Sequence, residues 1–105
     1  MTSKSINLNY SEFIDITALS SLPEGLNILM QALWHLRKGH WDEAHTIVQE
    51  DPGQYASWIH ALLHKMEGDQ WNAEYWYRRA GIKNPGISQD EEWDMIVRKL
   101  TTAID

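Results

Sequence analysis

The sequence predicts an all-α protein in which two helical hairpins are followed by a C-terminal capping helix. Two observations support this: apolar residues recur at helical spacing, and glycine and proline divide the chain into pieces of helix length. No segment shows a convincing strand pattern. The chain has 105 residues, which is close to the usual length of one domain and is enough to bury roughly two-thirds of its unfolded surface. We therefore expect a single domain over residues 1–105.

The N-terminal half contains an ambiguous segment followed by two helices. Residues 1–22 are expected to form an extended arm or a short helix over residues 11–19. The next helix should be capped by Ser20 or Ser21, carry Pro23 in its first turn and end at Gly39. A shorter helix is expected over residues 41–50, since the sequence Asp-Pro-Gly that follows is typical of a turn.

The C-terminal half predicts three more helices. Residues 54–67 and 70–80 should each be helical, because a glycine follows each of them closely. Ser88 and Glu91 have the spacing of a capping box and predict a last helix over residues 88–104. The acidic run from Asp90 to Glu92 is expected to lie in the first turn of that helix, where the helix dipole favours acids.

An internal repeat is the strongest pattern in the sequence. When the chain is shifted by 29 residues, five residues coincide: Ala32, Leu33, His35, Gly39 and Ala44 align with Ala61, Leu62, His64, Gly68 and Ala73. The glycines suit sharp turns, and the small alanines allow two helices to approach closely. The pattern predicts one hairpin over residues 24–50 and a second over residues 54–85.

These residues resemble the tetratricopeptide repeat, which is a helix-turn-helix unit. The second repeat matches the family pattern at Ala61, Gly68-Asp69, Ala73, Tyr77, Ala80 and Pro85. The first repeat matches less well, because Pro52 shortens its second helix. The resemblance covers about residues 24–85 and implies right-handed stacked hairpins, which serve as general binding platforms.

Three segments also resemble a family of small uncharacterised bacterial proteins. They are WDEAHTIVQ at residues 41–49, WIHALLHKMEGD at residues 58–69 and NAEYWYRRAG at residues 72–81. The family pattern reads AH...Q, HA.LHR.EGD and NA.YWYRRAG, and Lys65 stands where the family has arginine. This resemblance supports the helical architecture and marks these residues without implying an activity.

Composition and charge exclude several functions. The sequence has no cysteine, so disulfides, thiolate nucleophiles and thiolate zinc sites are impossible. A net charge of -6 disfavours nucleic acids and anionic membranes as partners, since binding to either depends on a basic surface. The first residues do not resemble a secretory signal, and no apolar stretch reaches the ~18 residues of a membrane span. We expect a cytoplasmic protein.

Six polar residues form the candidate site: His45, Gln49, His60, His64, Glu67 and Asn72. Helical periodicity places His60 and His64 opposite the apolar stripe of their helix, whereas the tetratricopeptide register places them inside the hairpin. We expect both sides of this helix to be partly buried. The first interpretation is then a structural polar network, whose members must bond to one another because an unsatisfied buried group costs ~1 to 3 kcal/mol.

The second interpretation is a divalent metal site. His60 and His64 are four residues apart, so a helix presents both imidazoles on one face, as in helical zinc and iron sites. His45 and Glu67 could supply further ligands. Ala61 stands where the HExxH metalloprotease motif has its catalytic glutamate. A third interpretation is metal-free acid/base chemistry by a histidine and Glu67, although no nucleophile or phosphate-binding loop accompanies them.

Two functions follow from these interpretations. The first is a non-enzymatic helical module that binds another protein or itself as a homodimer, with Tyr75 and Trp76 as candidate interface residues. The second is a small metal- or ligand-binding protein, or an enzyme, centred on the histidines. Four other tryptophans are expected to be structural, with their indole N–H groups bonded locally: Trp34, Trp41, Trp58 and Trp71.

Overall fold

A computed structural model describes residues 8–102 and confirms the all-α prediction. The six helices in this range are α1 (Tyr10–Ile16), α2 (Ile28–Arg37), α3 (Trp41–Gln49), α4 (Gln54–Met66), α5 (Gln70–Ala80) and α6 (Gln89–Thr102). None of these helices is long and apolar enough to cross a membrane. The predictions for residues 1–7 and for the end of the last helix, residues 103–104, lie outside the described residues.

The sequence left two options open for residues 1–22, an extended arm or a short helix. In the part of this segment that the structure describes, the short helix α1 is present. The Asn9 side chain accepts a hydrogen bond from the backbone N–H of Glu12, and the Glu12 carboxylate accepts one from the backbone N–H of Asn9. This reciprocal capping box fixes the start of α1. Phe13 is fully buried and stacks on Trp93 with ring centroids 6.0 Å apart, so α1 is held against α6.

The prediction for the start of the second helix was wrong, because α2 begins at Ile28 rather than near Pro23. The Asn27 side chain accepts a hydrogen bond of 2.9 Å from the backbone N–H of Met30 and is the N-cap. Gly25 has a φ of +88°, a left-handed conformation that interrupts any helix begun at Pro23. The observed cap therefore lies six or seven residues after the predicted one at Ser21 or Ser20.

The two halves of the repeat turn in the same way. Gly39 and Gly68 each have a φ of +82°. The backbone N–H of His40 donates to the carbonyl of His35 at 2.8 Å, and Asp69 donates to His64 at 2.9 Å. Both are Schellman endings, which require a left-handed residue and so favour glycine. As a result α2 packs against α3 and α4 packs against α5, which gives the two hairpins that the repeat predicts.

The fourth helix forms the centre of the molecule. It contacts α2, α3, α5 and α6, and all nine residues from Ala56 to His64 are buried. The expectation that both of its sides are covered is confirmed. Because a helix surrounded on all sides also buries its polar residues, α4 carries two separate polar clusters into the interior.

One of these clusters surrounds Glu92, which is fully buried on α6. Its carboxylate accepts hydrogen bonds from Trp58 Nε1 at 3.0 Å, Lys65 Nζ at 2.7 Å and the Tyr77 hydroxyl at 2.6 Å. Burial, reinforced by Glu92, raises the pKa of Tyr77. Sequence reasoning placed Glu92 in the first turn of α6, where it lies, but did not predict its burial or its hydrogen bonds from α4 and α5. We call these four residues the Glu92 network.

Candidate metal centre

The second cluster consists of three histidines from two helices. His45 comes from α3, while His60 and His64 lie one helical turn apart on α4, and we call the three the histidine cluster. The ring centroids are 4.7 Å apart for His45 and His60, 5.0 Å for His60 and His64, and 5.6 Å for His45 and His64. One nitrogen from each ring can be chosen so that all three lie within 4.8 Å of one another. The arrangement can therefore converge on one ion.

Two indole rings enclose the histidine cluster. Trp41 stacks on His45 with centroids 4.8 Å apart and an interplanar angle of 9°, and Trp76 stacks on His60 at 3.8 Å and 14°. Trp41 is itself fixed, because its Nε1 donates to the carbonyl of Leu63 at 2.8 Å. Stacking limits how far His45 and His60 can rotate. Sequence reasoning missed this role, although Trp41 and His45 have the i, i+4 spacing of helical neighbours.

Glu67 determines which nitrogen of His64 is available. The His64 Nδ1 lies 2.6 Å from Glu67 Oε1 and donates to the carboxylate. In the neutral ring this bond fixes the tautomer, and Nε2 then carries the lone pair that can bind a ligand. A carboxylate that bonds to the far nitrogen of a histidine is the usual support for a metal ligand. Glu67 lies at the solvent edge of the site, with 41% of its side chain exposed.

His60 differs from an ordinary structural histidine. Only 3% of the residue is exposed, and its Nδ1 has no hydrogen-bond partner within residues 8–102. Burial, together with the neighbouring charges of His45, His64 and Arg79, lowers the pKa of His60 to about 3. The ring is therefore neutral at neutral pH. An unsatisfied buried nitrogen costs ~1 to 3 kcal/mol.

His45 is also shifted toward its neutral form. Burial lowers its pKa and so does the charge of His64, while the carboxylates of Glu67 and Asp42 act in the opposite direction. A neutral imidazole is the form that binds a metal ion. Burial and the charge of His64 thus favour the neutral ring, which is the form that can bind a metal ion.

Two of the six candidate residues stand apart from the histidines. Gln49 is exposed at the end of α3. Asn72 lies in the first turn of α5, where its side chain donates to Asp69 Oδ2 at 2.6 Å and its backbone N–H donates to Asp69 Oδ1. The predicted network of six mutually bonded residues is therefore not what the structure shows. Over the described part of the chain, the bond to Glu67 is the one side-chain hydrogen bond that the histidine cluster makes.

Asp69 offers an alternative ligand, because it lies close to His64 and Glu67. Both of its carboxylate oxygens already accept hydrogen bonds from Asn72, and these bonds lower the pKa of Asp69. Using it as a ligand would remove the cap of α5. Binding through the three histidines would leave the cap of α5 intact, so they are the better candidate ligands.

The predicted interface residues occupy different environments. Tyr75 is 38% exposed, whereas Trp76 is half-buried against His60 and belongs to the wall of the histidine cluster. Trp71, expected to be structural, is 74% exposed. The reason is that α5 packs mainly against α4, so the opposite face of α5 points outward.

A second histidine pair lies on the first hairpin. The Nδ1 atoms of His35 and His40 are 3.1 Å apart at the protein surface. Sequence reasoning noted His35 as part of the repeat and placed it on the inner side of its hairpin, and it did not single out His40. This exposed pair lacks the third imidazole of the buried cluster and provides a matched control for it.

No family model matches this chain, and neither curated proteins nor solved structures show a significant match to it. The resemblances to tetratricopeptide repeats and to the bacterial family therefore stay predictions.

Proposed function

We propose that this protein binds a divalent transition-metal ion, zinc being the best fit, through His45, His60 and His64. The observation that carries the proposal is the convergence of three imidazole nitrogens within 4.8 Å of one another. In a tetrahedral zinc site with Zn–N near 2.0 to 2.1 Å, the nitrogens are about 3.4 Å apart. Small rotations of the three rings would close the difference.

The surroundings of the cluster support binding over a purely structural role. A carboxylate behind one ligand and two indoles stacked on the other two are features that hold ligands in place. A structural network would instead pair the nitrogen of His60. Three protein ligands leave a fourth position for water, as in catalytic zinc sites.

The test is metal analysis of protein purified without an affinity tag. After equilibration with zinc and removal of the excess, mass spectrometry of the metal should give one ion per chain. His60→Leu should lose it, and Glu67→Gln should bind about 10- to 100-fold more weakly, since the orienting carboxylate is gone. The control variant His35→Ala/His40→Ala should retain the full ion.

Two results would overturn the proposal. One is retention of the ion by a His60→Leu/His64→Leu variant that is still folded by circular dichroism. The other is the absence of stoichiometric binding for each of zinc, cobalt, nickel, copper and ferrous iron. A third contradictory result would be loss of the ion in the His35→Ala/His40→Ala control, because it would place the site at His35 and His40 instead.

A second candidate function, self-association, is supported by the outer face of α5. Trp71 and Tyr75 are one turn apart there and both are exposed. Large exposed aromatic rings are enriched at protein interfaces. Sedimentation velocity should show a dimer of the 12.2 kDa chain that Trp71→Ser converts to a monomer. A monomeric wild type at high micromolar concentration would contradict it.

A further inference from the structure

A second site lies on the far side of α4 from the histidines, in a cavity of about 340 Å³ between α4, α6 and the loop after α5. Its walls are mainly apolar and consist of Tyr55, Trp58, Ile82, Pro85 and Met95. The volume is at the lower end of the range found for small-molecule sites. The cavity can therefore accept one compact ligand.

The rim of the cavity is cationic. Lys83 and Lys99 line it together with the neutral Gln54, and no acidic side chain does. Neither lysine forms a salt bridge with any residue that the structure describes. Two lysines without a salt bridge to the described residues thus border this apolar cavity, in a chain whose net charge is -6. They provide charge complementarity for an anion whose remainder is apolar.

The walls favour a flat, aromatic ligand. The rings of Tyr55 and Trp58 are nearly parallel, at 21°, with their centroids 6.4 Å apart. Met95 contributes a thioether, which contacts aromatic rings favourably. Aromatic rings pack well against both types of group.

The cavity is also held in shape before any ligand binds. Lys65 Nζ donates to Asn84 Oδ1 at 3.3 Å and to the carbonyl of Ile87 at 2.9 Å, which fastens the loop to α4. On the opposite wall, the Trp58 indole is fixed by its bond to Glu92. A preformed site loses less conformational freedom when it binds, and so binds more tightly.

We propose that this cavity binds a small aromatic carboxylate, with its ring between Met95 and the Tyr55–Trp58 wall and its carboxylate between Lys83 and Lys99. This site is independent of the metal centre. It uses none of the histidines and would remain if no metal were bound.

The probes for the test are 2-naphthoate and the neutral 2-naphthalenemethanol, titrated into ¹⁵N-labelled protein at low ionic strength. The indole N–H of Trp58 and the amides of residues 82–83 and 95 should shift on binding of naphthoate. Naphthoate should bind about five- to tenfold more tightly than the alcohol, the preference expected of a partly solvated charge pair.

Variants separate specific pairing from general attraction. Lys83→Gln/Lys99→Gln should abolish the preference for naphthoate, and since both side chains are exposed the variant should fold normally. Arg78→Gln removes a cation from α5 that does not line this cavity, and it should keep the preference. Equal affinity for the two probes, an unchanged preference in the double variant, or shifts centred elsewhere would each overturn the proposal. Tighter binding of hexanoate than of naphthoate would refute the aromatic preference.

Discussion

The two polar clusters on α4 are alike in burial and opposite in their hydrogen bonding. In the Glu92 network every polar group is paired, and one carboxylate accepts bonds from three donors on α4 and α5. In the histidine cluster, His60 is nearly as buried, but its Nδ1 has no partner in the described part of the chain. The same helix therefore carries one satisfied cluster and one that is not.

We interpret this difference as a division between a stabilising cluster and the proposed metal-binding cluster. A fully paired buried network holds helices in register and is lost at a high cost. An unpaired buried nitrogen lowers stability, so its presence requires another explanation. The metal ion that we propose would provide one, as a ligand partner for His60. The following predictions test whether the two clusters divide in this way.

The largest effect is expected for Glu92→Ala. Removing the carboxylate takes away the charge partner of the mostly buried Lys65 and the acceptor of the Tyr77 hydroxyl, which should lower the free energy of unfolding by ~3 to 5 kcal/mol. Urea denaturation followed by circular dichroism measures this. Asp90→Ala, two residues earlier and 91% exposed, should change it by less than about 1 kcal/mol. Equal effects of the two variants would show that the network is not structural.

The next effect is expected for Tyr77→Phe. This variant keeps the ring but removes one donor to the charged Glu92, so it should cost ~1.5 to 3 kcal/mol. Glu92 would still accept bonds from Trp58 and Lys65, which is why the loss should be smaller than for Glu92→Ala. Urea denaturation measures this loss. An unchanged free energy of unfolding in Tyr77→Phe would contradict the hydrogen-bond assignment.

The free energy of unfolding of the metal-free protein should depend on pH through the protonation of His60. Its pKa is about 3 in the folded state and about 6.5 in the unfolded state, so the unfolded chain takes up a proton first as the pH falls. The contribution of His60 to the free energy of unfolding is constant above its pKa in the unfolded state. This contribution is lost as the pH falls toward its pKa in the folded state. Between pH 7 and 5 this loss should reach about 2 kcal/mol.

His60→Leu should remove that part of the pH dependence, while His40→Ala should leave it. Measurements in the presence of a chelator, at pH 5, 6 and 7, compare the three proteins directly. Identical slopes for wild type and His60→Leu would mean that His60 is solvated and that the cluster is not buried as described.

The smallest effect is expected for the stability of metal-free His60→Leu at pH 7. Leucine removes the unpaired nitrogen and keeps an apolar side chain against Trp76, so the free energy of unfolding should change by less than about 1 kcal/mol in either direction. A loss of 3 kcal/mol or more would indicate that His60 is structural after all.

Local signals made much of the fold predictable. The ends of α4 and α5 fall within one residue of their expected positions, because Gly68 and Gly81 act over a few neighbouring residues. The end of α3 is equally close, because a turn sequence, Asp51-Pro52-Gly53, follows it. The start of α2 was missed since two candidate caps compete there, and only Asn27 aims its side chain at a free N–H. Choosing between them requires the backbone conformation at Gly25.

Only the features of the site that depend on spacing within one helix could be predicted from the sequence. The pairing of His60 with His64 and the position of Glu67 follow from spacing on one helix. The stacking of Trp76 on His60 and the burial of Glu92 depend on contacts between residues far apart in sequence. Glu92, for example, receives its bonds from residues 15, 27 and 34 positions away. An acidic residue in a first helical turn gives no sign of such partners.

The most direct test of the division between the two clusters is X-ray absorption spectroscopy at the zinc edge of the zinc-loaded protein. We predict three nitrogen ligands at about 2.0 to 2.1 Å with the outer-shell scattering of imidazole, plus one light-atom ligand. In His60→Leu the imidazole count should fall below three. A zinc site with one imidazole or none in the wild type, or a spectrum that His60→Leu leaves unchanged, would contradict the account.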